Sequence, residues 1–301
     1  MANRTEEGHA QAPDLDKREP VAILKLLAEG QQAAARAVDA AIEPLALAAS
    51  LATEALRSGG RLVYAGAGSS GLMAMVDALE LPGTYGLAQP SVVVLLAGGT
   101  ASLADLAGGY EDDRDLGVRD TEQAGVGAGD CILIVSASGG TPYALGCAQA
   151  ARAGGATIVA IANNPGARLF EMADVAVLLE TPPEVISGST RMGAGTAQKI
   201  ALNMISTLVG IGLGHVYDGH MVNLRPDNAK LRQRAARMVA AIASVDPLEA
   251  ERHLEAAGGS VKLAVLLASG VPDRATAQQR LDRAGQSLRR ALALGDTEER
   301  R

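Results

Sequence analysis

Hydrophobic and polar positions divide the chain into three regimes. The first eighteen residues are polar and without period, and read as a tail. A helical pattern then opens at Pro20 and runs to Glu29, with Gly30 as its expected stop. Residues 31–58 are rich in Ala and Leu, carry Pro44 inside and end at Gly59-Gly60, which gives two helices or one kinked helix. The second regime alternates. Near-continuous apolar runs at 61–65, 91–97, 131–135, 157–162 and 175–179 read as strands covered on both faces. Helical patterns at 70–81, 141–153 and 167–173 lie between most of them, and 193–214 reads as a long, almost uncharged helix. The third regime, from residue 227, is amphipathic: 228–244, 246–257, 260–267, 275–284 and 286–294, with Asp273 as a helix cap. The expected fold is α/β: a parallel five-stranded sheet with helices on both faces, N-terminal helices, and a small all-α C-terminal domain. The corresponding divisions are 1–18, 19–60, 61–226 and 227–301.

Composition narrows the function. The chain has 301 residues, with 27 basic and 34 acidic side chains, a net charge of −7. Five Tyr, one Phe and no Trp leave few stacking platforms, so neither half of a single-strand nucleic-acid binder is present. The uncharged runs 81–104 and 131–151 are broken by Gly and Pro, so no membrane span is expected. Cys131 and Cys147 sit in apolar patterns and read as buried small residues in a reducing cytoplasm. The four histidines have no metal-ligand spacing, and no metal site is expected.

The chemistry gathers after the strands. The first is followed by Gly66-Ala67-Gly68-Ser69-Ser70-Gly71, the third by Ser136-Ala137-Ser138-Gly139-Gly140-Thr141, and the fifth by Ser187-Gly188-Ser189-Thr190-Arg191. Ligands of open parallel sheets bind beyond the strands' carboxyl ends, where loops entering helices offer backbone N–H groups to anions. Three such loops suit a phosphorylated or polyhydroxylated small molecule. The first loop also matches Gly-x-Gly-x-x-Gly, but the second strand ends in Ala97-Gly98-Gly99-Thr100 without the carboxylate that a dinucleotide ribose needs. The nicotinamide reading therefore ranks lower.

Residues 134–141, apolar-apolar-Ser-x-Ser-Gly-x-Thr, resemble the phosphosugar-binding loop of sugar isomerase (SIS) domains. The stretch Pro183-Glu184-Val185-Ile186-Ser187-Gly188-Ser189-Thr190-Arg191-Met192-Gly193-Ala194-Gly195-Thr196 resembles the signature of the N-acetylmuramic acid 6-phosphate etherase family, which includes the glucokinase regulatory proteins. Gly60-Arg61-Leu62, Asp77-Ala78-x-Glu80, Tyr110-Glu111-Asp112 and Asn228-Ala229-Lys230-Leu231 fit the same family. The resemblance implies an SIS-type sheet and a lyase without cofactor that eliminates D-lactate from C3 of the sugar and then adds water. It also implies a homodimer with the active site at the subunit interface. It puts the catalytic acid on Glu80 and a second catalytic glutamate on Glu111. It puts substrate contacts on Gly68, Ser69, Ser70, Ser136, Ser138, Gly139, Thr141, Glu184, Ser187, Ser189, Thr190 and Arg191.

Glu80, between Leu79 and Leu81 and before Pro82, reads as a carboxyl whose apolar surroundings raise its pKa. Glu111 opens the acidic run Glu111-Asp112-Asp113. The chain also departs from the family pattern, with Leu72, Gly140 and Gly193 at positions where the etherases usually carry cations. Arg191 is then the one cation in the three loops, and a less charged substrate is expected. A sugar-phosphate sensor without catalysis and an aldose–ketose isomerase are the competing readings.

Overall fold

The computed structural model describes residues 4–103 and 108–298. Residues 1–3 of the expected tail, residues 104–107 and residues 299–301 lie outside the described residues. Two compact units are present: residues 1–79 with 89–208, and residues 80–88 with 209–301. The sequence places its boundary at residue 227, whereas the second unit takes in the ends of two long helices and the hairpin that follows the later one.

The first unit holds all five expected strands: β1 (Leu62–Gly66), β2 (Val92–Leu96), β3 (Cys131–Ser136), β4 (Thr157–Ala162) and β5 (Val175–Leu178). They pair in parallel in the order β2-β1-β3-β4-β5. Alternate residues explain why the runs are apolar throughout. Val63, Ile132, Ile134 and Ile158 face the core shared with Tyr143, Cys147 and Ala151 of helix α5 (Pro142–Gly154). Tyr64 faces the other way, and its hydroxyl donates to Asp77 of α3 (Gly68–Tyr85) at 2.8 Å. Both cysteines are buried and free, and burial pushes each thiol up to about 12, which keeps them inert.

Asp77 is a structural carboxylate. Besides Tyr64 it accepts from Asn203 Nδ2 (2.6 Å) and Ser206 Oγ (2.9 Å) on α6 (Gly193–Gly212). A buried charge is tolerated only when it is bonded in this way. At the opposite end of the sheet Asp130 pairs with the Arg61 guanidinium at 2.6 Å. Burial alone would raise this carboxyl, but the Arg61 bond and the backbone N–H groups of Gly127 and Arg61 hold it below its ordinary value.

Several elements differ from the sequence reading. Helix α1 (Pro20–Ala35) runs through Gly30, where Val185 Cγ2 would meet an added Cβ at 3.2 Å. The break falls instead at the 3-10 segment Arg36–Ala41, and Pro44 lies in the first turn of α2 (Ile42–Arg57), where proline is tolerated. The expected helix at 167–173 is a 3-10 turn, Arg168–Met172. Helix α4 (Arg114–Gln123) has no counterpart in the reading. It lies against α5 through glycines: a Cβ on Gly117 would sit 2.2 Å from the Tyr143 carbonyl oxygen, and one on Gly146 2.1 Å from that of Arg114. Residues 4–6 are not a free tail. Thr5 is buried, and Asn164 grips it by donating to its hydroxyl at 3.2 Å and accepting from its N–H at 3.3 Å.

The second unit contains the short hairpin β6 (Val216–Tyr217) and β7 (His220–Met221), then α7 (Ala229–Ala243), α8 (Pro247–Ala256), α9 (Val261–Ala268), α10 (Arg274–Arg283) and α11 (Leu288–Glu298). Side-chain caps start four of these helices: Asn228, Asp246, Ser260 and Asp273 each accept from a first-turn N–H. The core is formed by Val222, Leu224, Val239, Leu254, Val265 and Leu266. No helix among the described residues is long and apolar enough to cross a membrane.

Candidate active site

The strand order reverses between β1 and β3, and crevices for ligands form at such switch points, beyond the carboxyl ends of the strands. The first two glycine and hydroxyl loops leave the sheet there. The second is a closed triangle of hydroxyls. Ser136 Oγ and Thr141 Oγ1 lie 2.8 Å apart, and Ser138 Oγ is 3.4 Å from each. The Gly139 N–H donates to Ser136 Oγ at 3.0 Å and the Gly140 N–H to Ser138 Oγ at 3.1 Å. These backbone donors fix the positions of two of the three hydroxyl oxygens. Gly139 adopts a φ of 65°, and a Cβ there would lie 2.2 Å from that of Ala167, so only glycine fits this turn.

A cavity of about 610 Å³ opens beside the triangle. Ser138, Gly140 and Thr141 form one wall, Glu111 and Asp112 another, and the turn from Asn164 to Arg168 a third. Glu111 is anchored by its backbone, whose carbonyl accepts from the Tyr143 N–H at 3.0 Å. Its carboxylate rests on the first loop: a Cβ on Gly68 would lie 2.3 Å from Glu111 Oε1. Burial, and then the neighbouring Asp112 charge, raise the Glu111 pKa above the ordinary carboxylate value. The acidic run thus splits three ways. Glu111 enters the cavity half-buried, Asp112 stays exposed at its edge, and Asp113 caps α4 by accepting from the Leu116 N–H at 2.8 Å.

Residues 27–163 match the family model described as the SIS domain. The chain is 44% identical, over 97% of its own length and 96% of the relative's, to the N-acetylmuramic acid 6-phosphate etherase of Deinococcus radiodurans. It is 39% identical, over 96% and 98%, to the etherase of the same name from a Geobacillus species. The chain belongs to the N-acetylmuramic acid 6-phosphate etherase family. The fold is also that of the phosphoheptose isomerase of Neisseria gonorrhoeae (TM-score 0.50, 20% identity, 63% of this chain and 97% of that one).

The remaining residues of the etherase pattern do not line this cavity. Ser69 and Ser70 lie in the first turn of α3 and line no part of the cavity. The third loop lies outside the cavity as well. Ser187 Oγ donates to the Glu6 carbonyl at 2.8 Å, and the Gly188 N–H to that of Thr5 at 3.1 Å, so this loop holds the N-terminal segment. Ser189 and Thr190 are half-buried, and Arg191 is exposed. Glu184 is not a free ligand. It is buried, and its carboxylate accepts from the N–H groups of Gly193 and Ala194, each at 2.9 Å, at the positive end of α6. The etherase pattern names Glu184 as a substrate contact, and in the single chain its carboxylate is taken up by these two backbone donors.

Glu80 also departs from expectation. Helix α3 continues through Pro82 to Tyr85, where Asn223 Nδ2 caps the Tyr85 carbonyl at 2.7 Å. Glu80 is exposed, not set among apolar side chains, and its neighbours Val76 and Leu79 are exposed with it. Arg168 and Asn164 were not anticipated. Asn163-Asn164-Pro165-Gly166 after the fourth strand carried the same positional signal as the other loops.

Proposed function

We propose that this chain is a carbon–oxygen lyase that cleaves the D-lactyl ether of N-acetylmuramic acid 6-phosphate, a step of cell-wall sugar recycling. The observation that carries the proposal is the shared cavity: a half-buried glutamate with a raised pKa faces the same space as a hydroxyl loop suited to phosphate. The near-complete coverage of relatives bearing that name supports it.

The open-chain aldehyde acidifies the C2 proton. Glu111 removes it, the C2–H electron pair becomes the C2–C3 double bond, and the C3–O bond breaks. The etherase pattern assigns the protonation of the departing lactate oxygen to Glu80. Water then adds across the double bond, with its oxygen on C3 and a proton returned to C2, which gives N-acetylglucosamine 6-phosphate and D-lactate. A carboxyl shuttles protons best when its pKa approaches the working pH, and the shift at Glu111 runs in that direction. Substrate charge also fits the cytoplasm, because a phosphorylated sugar does not cross a membrane unaided.

The test is incubation with N-acetylmuramic acid 6-phosphate in deuterated water. We expect lactate release with deuterium at C2 of the product. Ketose formation without lactate, or binding without turnover, would overturn the assignment.

The active species is a homodimer. Val76 and Leu79 on α3 and Leu208 on α6 are large exposed apolar side chains, and a second subunit covering the α3 pair would also give the adjacent Glu80 the apolar cover that it lacks in one chain. Sedimentation equilibrium should return twice the chain mass, and a monomer at micromolar concentration would contradict it.

A further inference from the structure

We propose that Arg168 pairs with the phosphate of the substrate and sets the preference for phosphorylated over neutral sugars. This rests on the sugar-phosphate reading of the same cavity. Arg168 is the one cation among the described lining residues. Two carboxylates, Glu111 and Asp112, line the same space, and the hydroxyl triangle is neutral. Without Arg168 the cavity would present only negative charge to a dianionic ligand, which the resulting field would repel.

The position is fixed on both sides. The preceding residue, Ala167, packs against Gly139, and the following one, Leu169, donates its N–H to the Gly139 carbonyl at 2.9 Å. The backbone that carries Arg168 is therefore pinned to the turn that carries the hydroxyls. The guanidinium itself is uncommitted. The Arg168 side chain is exposed and makes no hydrogen bond or ion pair with any described residue, although two acids line its own cavity. A guanidinium matches a phosphate with two parallel N–H bonds, a geometry that lysine cannot supply. The second loop has glycine at 140, and Arg168 brings a cation to the same cavity from the neighbouring strand's loop.

Calorimetric titration of N-acetylglucosamine 6-phosphate and of N-acetylglucosamine into wild type, Arg168→Ala and Arg168→Lys tests this. Arg168→Ala should weaken the phosphate ester about ten- to a hundredfold and leave the neutral sugar unchanged, with Arg168→Lys in between. The wild-type affinity for the ester should also fall more steeply with salt than that of Arg168→Ala. Equal affinity of wild type and Arg168→Ala for the ester would overturn the proposal, and so would an equal loss for both sugars. Lactate release with an unchanged KM in Arg168→Ala would overturn it while leaving the etherase reading intact. Arg168-dependent binding of the ester by a wild type that releases no lactate would keep it and remove the etherase reading.

Discussion

Glu111→Gln should lower kcat about a thousandfold and leave KM within about a factor of three, the signature of a proton-transferring group that contributes little to ground-state binding. The amide keeps the size and the contact with Gly68 but cannot take the C2 proton. Deuterium exchange at C2 should disappear together with lactate release. In the wild type the acid limb of kcat should lie above the ordinary glutamate value of about 4.3, because burial and then Asp112 raise the folded pKa. The stability effect has the opposite sense to the activity effect. For a carboxyl whose folded pKa is raised, the favourable contribution is complete below the unfolded value and is lost as the pH rises through the folded one. At pH 7 Glu111→Gln removes a poorly solvated charge, so its Tm should equal or exceed that of wild type. Wild-type kcat in the variant would remove Glu111 from the chemistry. A large fall in Tm would trace the loss to folding.

Gly68→Ala should cost about a hundredfold in kcat/KM, because misplacing a catalytic group by about 1 Å is enough for that loss. The new methyl carbon would lie 2.3 Å from Glu111 Oε1 and 3.1 Å from its Cδ. The carboxylate is the mobile end of its side chain, so it yields, and most of the damage is to its position. The backbone contributes as well: Gly68 has a φ of 51°, a left-handed conformation that costs a residue with a Cβ about 1–2 kcal/mol. Gly155→Ala separates the two effects. Gly155 has a φ of 79° at the C-terminus of α5, with nothing nearer than 3.8 Å to an added Cβ. It should lose a similar amount of stability in urea unfolding and no activity. Equal activity losses in the two variants would assign the effect to backbone strain, against the contact with Glu111.

The sheet was legible because a parallel strand buried on both faces has no polar phase, so the three central strands stand out as unbroken apolar runs, and the partly buried edge strands β2 and β5 are apolar as well. Helix α4 was not, because its sequence is strongly charged and its packing runs through Gly117 and Gly146, where backbone meets backbone and no hydropathy pattern records the contact. The course of α1 through Gly30 is a related case. Glycine is a weak stop signal, and the close approach of Val185 gives it a packing reason to remain inside the helix.

At the site, the hydroxyl triangle could be read from one short loop because its members lie within six consecutive residues. The fate of each acidic residue could not. Glu80, Glu111 and Glu184 are the same side chain in motifs of similar weight, yet one is exposed, one is half-buried in a cavity, and one is spent on the N-terminus of α6. Arg168 shows the converse, a cation outside every motif that shares a cavity with the hydroxyl loop.

The sequence by itself determined the strands, their parallel pairing, the two loops at the switch point and the family, because each is written in local runs and spacings. Only the tertiary structure decided which polar groups remain available to a ligand. Those outcomes depend on partners far apart in the chain: Glu111 with Gly68, Asn164 with Thr5, Arg168 with the turn at Gly139. A buried carboxylate, amide or N–H must find a partner wherever the fold provides one. The identity of that partner, and so the charge left facing the cavity, is fixed only when the chain closes on itself.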